Sequence, residues 1–204
     1  MKECILEIFL KDIATHQMEI LNDTGVHRCL KFSRIDGSCD MHFYLATWPG
    51  HLAISGDMGT FVFNRLEDMF NFFRCKKEGE LSIDSSYYAE KCEAEDTRTG
   101  GIRQFCSDQL KDAVQDRFDD HFEDPGSDEA KKCWEALEDE VLCAENSYDA
   151  HERSRNFEHE GFTLSDFWEA HIERKTFHFI WCLYAIAWGI RQYDDEKDKV
   201  KEEQ

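Results

Sequence analysis

The chain has 204 residues, 41% of them hydrophobic and 13% aromatic; this excludes an intrinsically disordered acidic protein and supplies material for a sizeable core. Its 44 acidic against 24 basic side chains give a net charge of −20, which excludes direct binding to a nucleic-acid backbone and favours basic protein partners. Nine cysteines without a CxxC pair, and a start that lacks a basic region followed by an apolar core, point to reduced thiols in a cytoplasm and away from a secreted disulfide framework.

In chain order, Ile5, Phe9, Ile13, Ile20 and Leu21 recur at a roughly helical period. They predict an amphipathic helix over residues 3–21, stopped by Asn22-Asp23-Thr24-Gly25. Short strand signals follow at 28–34, 41–47, 51–55 and 60–63. Turn signals separate them at Asp36-Gly37-Ser38, Trp48-Pro49-Gly50 and Gly56-Asp57-Met58-Gly59. A helix is expected over 64–75, with Leu66, Met69, Phe70 and Phe73 on its apolar side.

Beyond a connector at 78–100, residues 102–122 fit a helix with Cys106, Leu110, Val114, Phe118 and Phe122 spaced by four. Asp124-Pro125-Gly126-Ser127 ends it, and Ser127 caps a further helix running to about Ala144. Residues 145–160 are polar and carry no clear pattern. Thr163-Leu164-Ser165-Asp166 reads as the cap of a last helix over 164–193, apolar over much of its circumference. Its apolar run from Thr176 to Ile190 is shorter than the roughly 20 residues a bilayer requires.

These elements predict an α+β fold. A small antiparallel sheet of three or four strands in the N-terminal third packs with a predominantly helical C-terminal portion. The expected division is 1–77 and 78–204 within one compact domain, with helix 164–193 as the shared core.

Charge is unevenly distributed. Residues 78–160 hold 25 acidic against 9 basic side chains, whereas residues 1–77 hold 10 against 9. On a helix, Asp112, Asp116, Asp119, Asp120 and Glu123 form one stripe, with steps of roughly 6 Å between residues four apart. Glu135, Glu138 and Asp139 form a shorter second stripe. Phosphates along a nucleic-acid strand repeat on a similar scale. The eight residues are therefore the candidate contacts to a basic, nucleic-acid-binding surface on another protein.

Three catalytic or metal alternatives compete with that reading. His51 lies six residues before Asp57, and Asp57 stands in a glycine-rich loop that is able to present its carboxylate for general-base or hydrolytic chemistry. His27-x-Cys29 and Cys39-x-x-His42 straddle a predicted hairpin and supply four ligand types suited to zinc. The cysteines lack any recognisable Cys/His nucleophile signature. The expectation is a protein with no catalytic residues, no metal and no cofactor.

The stretch TWPGHLAISGDMGTFVFNRLEDMFNFFR at 47–74 resembles a widespread family of uncharacterised tailed-bacteriophage and prophage proteins. Blocks at 16–21, 25–32, 87–94 and 178–194 fit the same pattern, so the resemblance spans nearly the whole chain. Position 29 departs from it, with Cys29 where a histidine often stands. The resemblance implies a phage origin, a host bacterial cytoplasm and no established activity. Small phage accessory proteins often block host defence systems such as CRISPR or restriction complexes, or serve in virion assembly; this is an association by gene class.

Overall fold

In the computed structural model, which describes residues 3–74 and 81–202, the N-terminal half is a six-stranded antiparallel meander. Helix α1 (Leu6–Asp12) precedes β1 (His16–Thr24), β2 (His27–Arg34), β3 (Phe43–Trp48), β4 (His51–Gly56) and β5 (Gly59–Asn64). After α2 (Met69–Phe73) and α3 (Ser85–Glu90), β6 (Cys92–Glu95) adds the last edge. Strand order follows chain order, and every neighbouring pair is antiparallel. The fold is α+β, with six strands where three or four were expected.

The additional strands were hidden for different reasons. The chain leaves the helix at Asp12, and His16–Thr24 is edge strand β1 rather than the end of a helix over 3–21. Met18 pairs with Phe32 and Ile20 with Leu30, and a β-bulge at Leu21 then breaks the alternation. β6 is four residues of Cys and Glu with Ala, without the branched or aromatic residues that mark a strand.

Alternation in the central strands buries one face completely: Leu30 and Phe32, Phe43 and Leu45, Leu52 and Ile54, Phe61 and Phe63. The turn between β3 and β4 is Pro49-Gly50, with Gly50 at φ 80°, which suits proline followed by glycine at the two central positions. The helix expected over 64–75 is shorter. Asn64 closes β5, and Asp68 caps α2 by accepting from Phe70 N at 3.0 Å. Cys75 and the expected boundary at 77 lie outside the described residues.

Contacts divide the chain at Ile102 and Lys175. One unit comprises Met1–Ile102 with Lys175–Gln204, and the other comprises Arg103–Arg174. The second unit contains β7 (Arg103–Phe105), α4 (Ser107–His121), α5 (Asp128–Glu140) and α6 (Ser147–Asn156). The hairpin of β8 (Glu158–His159) and β9 (Phe162–Thr163) follows, and the unit ends within β10 (Glu173–Lys175), which pairs with β7. Its core is separate. Leu110, Val114 and Phe118 of α4 pack with Ala130, Cys133 and Leu137 of α5 and with Phe157, Phe162, Leu164 and Phe167. The stripe read from sequence is the buried face of α4, and Ser127 caps α5 by accepting from Ala130 N at 3.1 Å.

The last helix, α7 (Phe177–Glu202), begins 13 residues later than the expected 164. Asp166 is not its cap, since it sits at φ 53° before a short 3-10 turn at Phe167–Glu169. The cap is Thr176, whose Oγ1 accepts from Phe179 N at 3.1 Å and donates to Gly101 O at 2.7 Å. Phe179, Trp181, Leu183, Ile186 and Ile190 of α7 belong to the core of the first unit. Gly189 is required for that packing, because a Cβ there would lie 2.8 Å from Leu45 Cδ1 and 2.9 Å from Phe32 Cζ. Among the described residues, no helix is long and apolar enough to cross a membrane.

Candidate functional site

The acidic block falls mainly on the second unit. Arg103–Arg174 carries 21 acidic and 8 basic side chains, a net of −13. On α4, Leu110, Val114 and Phe118 face the core, and at ~100° per residue Asp112, Asp116 and Asp119 project from the opposite side, with Asp120 flanking them. Glu123 lies just past the helix end at Phe122. All five are exposed. The Arg117 guanidinium on the same helix lies over the Phe167 ring, 5.5 Å from its centroid.

The second stripe is more mixed. Glu135, Glu138 and Asp139 of α5 are all exposed, but Lys131 and Lys132 share the outward side one turn earlier. Glu138 also accepts from Trp134 Nε1 at 2.9 Å, and Asp119 accepts from Gln115 Nε2 at 2.7 Å. Among the described residues, the ion pairs in this unit are Arg153–Asp149 and Arg155–Glu152. None of the eight candidate carboxylates forms an ion pair with another described residue, so their charge is not neutralised locally.

Retaining this charge is costly. Asp112/Asp116, Asp116/Asp119 and Asp116/Asp120 are like-charged pairs at helical spacing, each unfavourable by ~0.2–0.5 kcal/mol. Asp119 and Asp120 stand in the last turn of α4, where the helix dipole disfavours negative charge by ~0.3–1 kcal/mol each.

The hydrolytic alternative is not assembled. His51 begins β4 and Asp57 follows its end, ~20 Å away along an extended strand. His51 stacks on Trp48 with centroids 5.0 Å apart. Its Nδ1 donates to Pro49 O at 3.0 Å, and its Nε2 lies 2.9 Å from Asn64 Nδ2 and 3.4 Å from Glu93 Oε2. Asp57 instead sits 3.1 Å from His42 Nδ1, which also donates to Cys39 O at 2.7 Å. Both histidines hold turns.

The four zinc-type ligands do not converge. Cys29 pairs with Ala46, and Phe32 with Phe43. His27 and Cys29 therefore lie at one end of the β2–β3 hairpin, and Cys39 and His42 at the other. Among the described residues there is no group of three or more side chains placed to hold a metal ion. Cys4, Cys106, Cys133 and Cys182 are buried. Burial pushes the Cys4 thiol up to about 12 and the Cys92 thiol up to about 11, which removes their thiolate character at neutral pH.

The unpatterned stretch 145–160 supplies α6, capped by Asn146 accepting from Asp149 N at 2.9 Å. Sequence reading passed over a cavity between this helix and the Asp166 turn. Its only sequence signals were the Asn-x-x-Asp start and the Glu160-Gly161 turn of the β8–β9 hairpin. Compared with protein-family models, curated proteins and solved structures, the chain matches none.

Proposed function

We propose that this protein is a non-enzymatic phage accessory protein that binds and inhibits a host nucleic-acid-handling protein, such as a CRISPR or restriction complex. The acidic faces of α4 and α5 take the place of a nucleic-acid backbone in a basic groove. The observation that supports this reading is that all eight carboxylates are exposed and none is ion-paired within the described residues. Their ~6 Å steps along α4 are shorter than the ~8 Å Debye length at physiological salt, so neighbouring charges reinforce one another. Complementary charge raises the association rate and makes binding sensitive to salt.

The test is capture of partners from host lysate on the tagged protein at low salt, eluted with a salt gradient. A nucleic-acid-binding complex that is retained stoichiometrically, released as salt rises and displaced by its own nucleic acid is the expected result. The triple variant Asp112→Lys, Asp116→Lys, Asp120→Lys should not retain it. Full retention by that variant would sink the proposal.

A further inference from the structure

We infer that the second unit holds a pocket for a guanidinium group, filled by an arginine side chain of the basic partner. The source of that arginine rests on the proposed function; the chemistry of the pocket does not.

The cavity measures about 340 Å³ and lies between α6, the β8–β9 hairpin and the turn that begins at Asp166. Its lining includes His151, Ser154, Glu158, Asp166, Phe167 and Trp168. Phe167 is buried, whereas Trp168 is 68% exposed, so a large aromatic surface stands at the pocket without core packing to account for it. Asp166 is held at φ 53°, a conformation costly for most residues but tolerated by Asp and Asn.

Two polar atoms of the lining are buried without a hydrogen-bond partner among the described residues. Ser154 is 1% exposed and its Oγ is unpartnered; His151 is half-buried, with its Nδ1 atom buried and unpartnered. Folds pair such groups because leaving one unsatisfied is expensive. An alanine at 154 would pack in the helix without that penalty. With its proton on Nε2, His151 accepts at Nδ1, and the Ser154 hydroxyl accepts as well as donates, so both suit a ligand that carries several donors.

Charge and shape narrow the ligand further. Arg155, also at the pocket, is already paired with Glu152 at 2.6 Å. Asp166 and Glu158 then leave the lining negative, in a unit of net −13, which disfavours phosphates and carboxylates. A guanidinium offers five donors in a plane, pairs with carboxylates and stacks on aromatic rings better than a strongly hydrated ammonium. The same unit already places one guanidinium over an aromatic ring, that of Arg117 over Phe167.

The test is an NMR titration of the ¹⁵N-labelled full chain with N-acetyl-arginine methylamide. Saturable shifts are expected at the amides of Ser154 and Asp166 and at the Trp168 indole. The neutral isostere N-acetyl-citrulline methylamide should bind roughly tenfold more weakly, because it lacks the charge-assisted contact to Asp166. Asp166→Asn, which suits the same backbone conformation, and the exposed Trp168→Ala should each weaken arginine binding severalfold with the amide spectrum otherwise unchanged. Absence of saturation by about 50 mM, equal binding of the citrulline compound, or full affinity in Asp166→Asn would each overturn the inference. The two readings fail separately. Loss of partner capture in the α4 triple variant leaves the arginine titration unchanged, and a flat titration removes the pocket even where a partner is captured.

Discussion

The guanidinium of Arg28 grips the carboxylate of Asp68 at two points, with Nη1 2.9 Å from Oδ1 and Nη2 3.0 Å from Oδ2. Arg28 also lies over the Phe70 ring, 4.6 Å from its centroid, and near Tyr193, whose hydroxyl donates to Asp23 at 2.9 Å. Lys197 closes on the same Asp23, and Arg74 pairs with Asp194 through 2.7 and 2.8 Å contacts. β2, the cap of α2 and the middle of α7 are thereby tied by charge. Their role here is to fix the fold of the first unit.

Arg28→Ala leaves Asp68 partly buried without its partner and removes the guanidinium from the Phe70 face. The expected loss of stability is ~3 kcal/mol. Arg28→Lys keeps the charge but not the two-point contact, and should cost ~1–2 kcal/mol. Urea denaturation monitored by tryptophan fluorescence measures both. Equal stability in the two variants would mean that charge alone matters and that the bidentate geometry contributes nothing.

The same network sets a dependence on pH. Burial by itself pushes the Asp68 carboxyl up, but bonds from Arg28 and Phe70 N outweigh it and hold the group below its ordinary value. For Asp23, burial is likewise outweighed, here by Lys197 and Tyr193. A depressed folded value means that the unfolded chain binds more protons as pH falls. The stabilisation is therefore present above the unfolded value of about 3.9 and is lost as pH drops through the folded one. His16 adds a shallower decline that begins below about 6.5, because burial lowers its value despite the Met41 carbonyl bond. Urea midpoints should fall gently from pH 6.5 to 5 and steeply below about 4. Asp68→Asn should flatten the steep limb, and His16→Gln the gentle one.

Gly189 sets two opposing effects against each other. Replacing a mid-helix glycine with alanine gains ~1 kcal/mol of helix propensity. At this position the new Cβ meets Leu45 and Phe32 below 3.0 Å, and both of those side chains are fully buried. Overpacking of this kind costs ~1–3 kcal/mol, so Gly189→Ala should be destabilising on balance and Gly189→Val more so. A thermal midpoint above that of the parent protein would show that α7 is able to shift away from the sheet without loss.

How much was legible follows from where burial had a one-sided pattern. Strands β2 to β5 alternate and were read at 28–34, 41–47, 51–55 and 60–63, and α4 repeats every four residues, so both periods could be read directly. Edge strand β1 could not, since its exposed Ile20 and Leu21 mimic a helical period when read with Ile5, Phe9 and Ile13. The start of α7 was misplaced because Thr163–Asp166 carries the chemistry of a cap, whereas the true cap, Thr176, precedes an unbroken apolar run. The exposed acidic stripe of α4 was legible because it is the complement of a buried one. The ligand sets proposed around His51 and Cys29 were not, because spacing along a chain does not state which end of a hairpin each residue occupies.

That acidic stripe carries the last prediction. Relief of the like-charge pairs and of the charges at the α4 C-terminus should make Asp112→Asn, Asp116→Asn, Asp120→Asn more stable than the parent by about 1 kcal/mol. Under the proposed function the same variant loses its partner, so stability and binding move in opposite directions. The gain should shrink at 1 M salt, where the Debye length falls to ~3 Å and the parent's repulsion is already screened. Denaturant midpoints at low and high salt measure this directly. If the variant is no more stable at low salt, the carboxylates are not in conflict with the helix and are kept at no cost to folding.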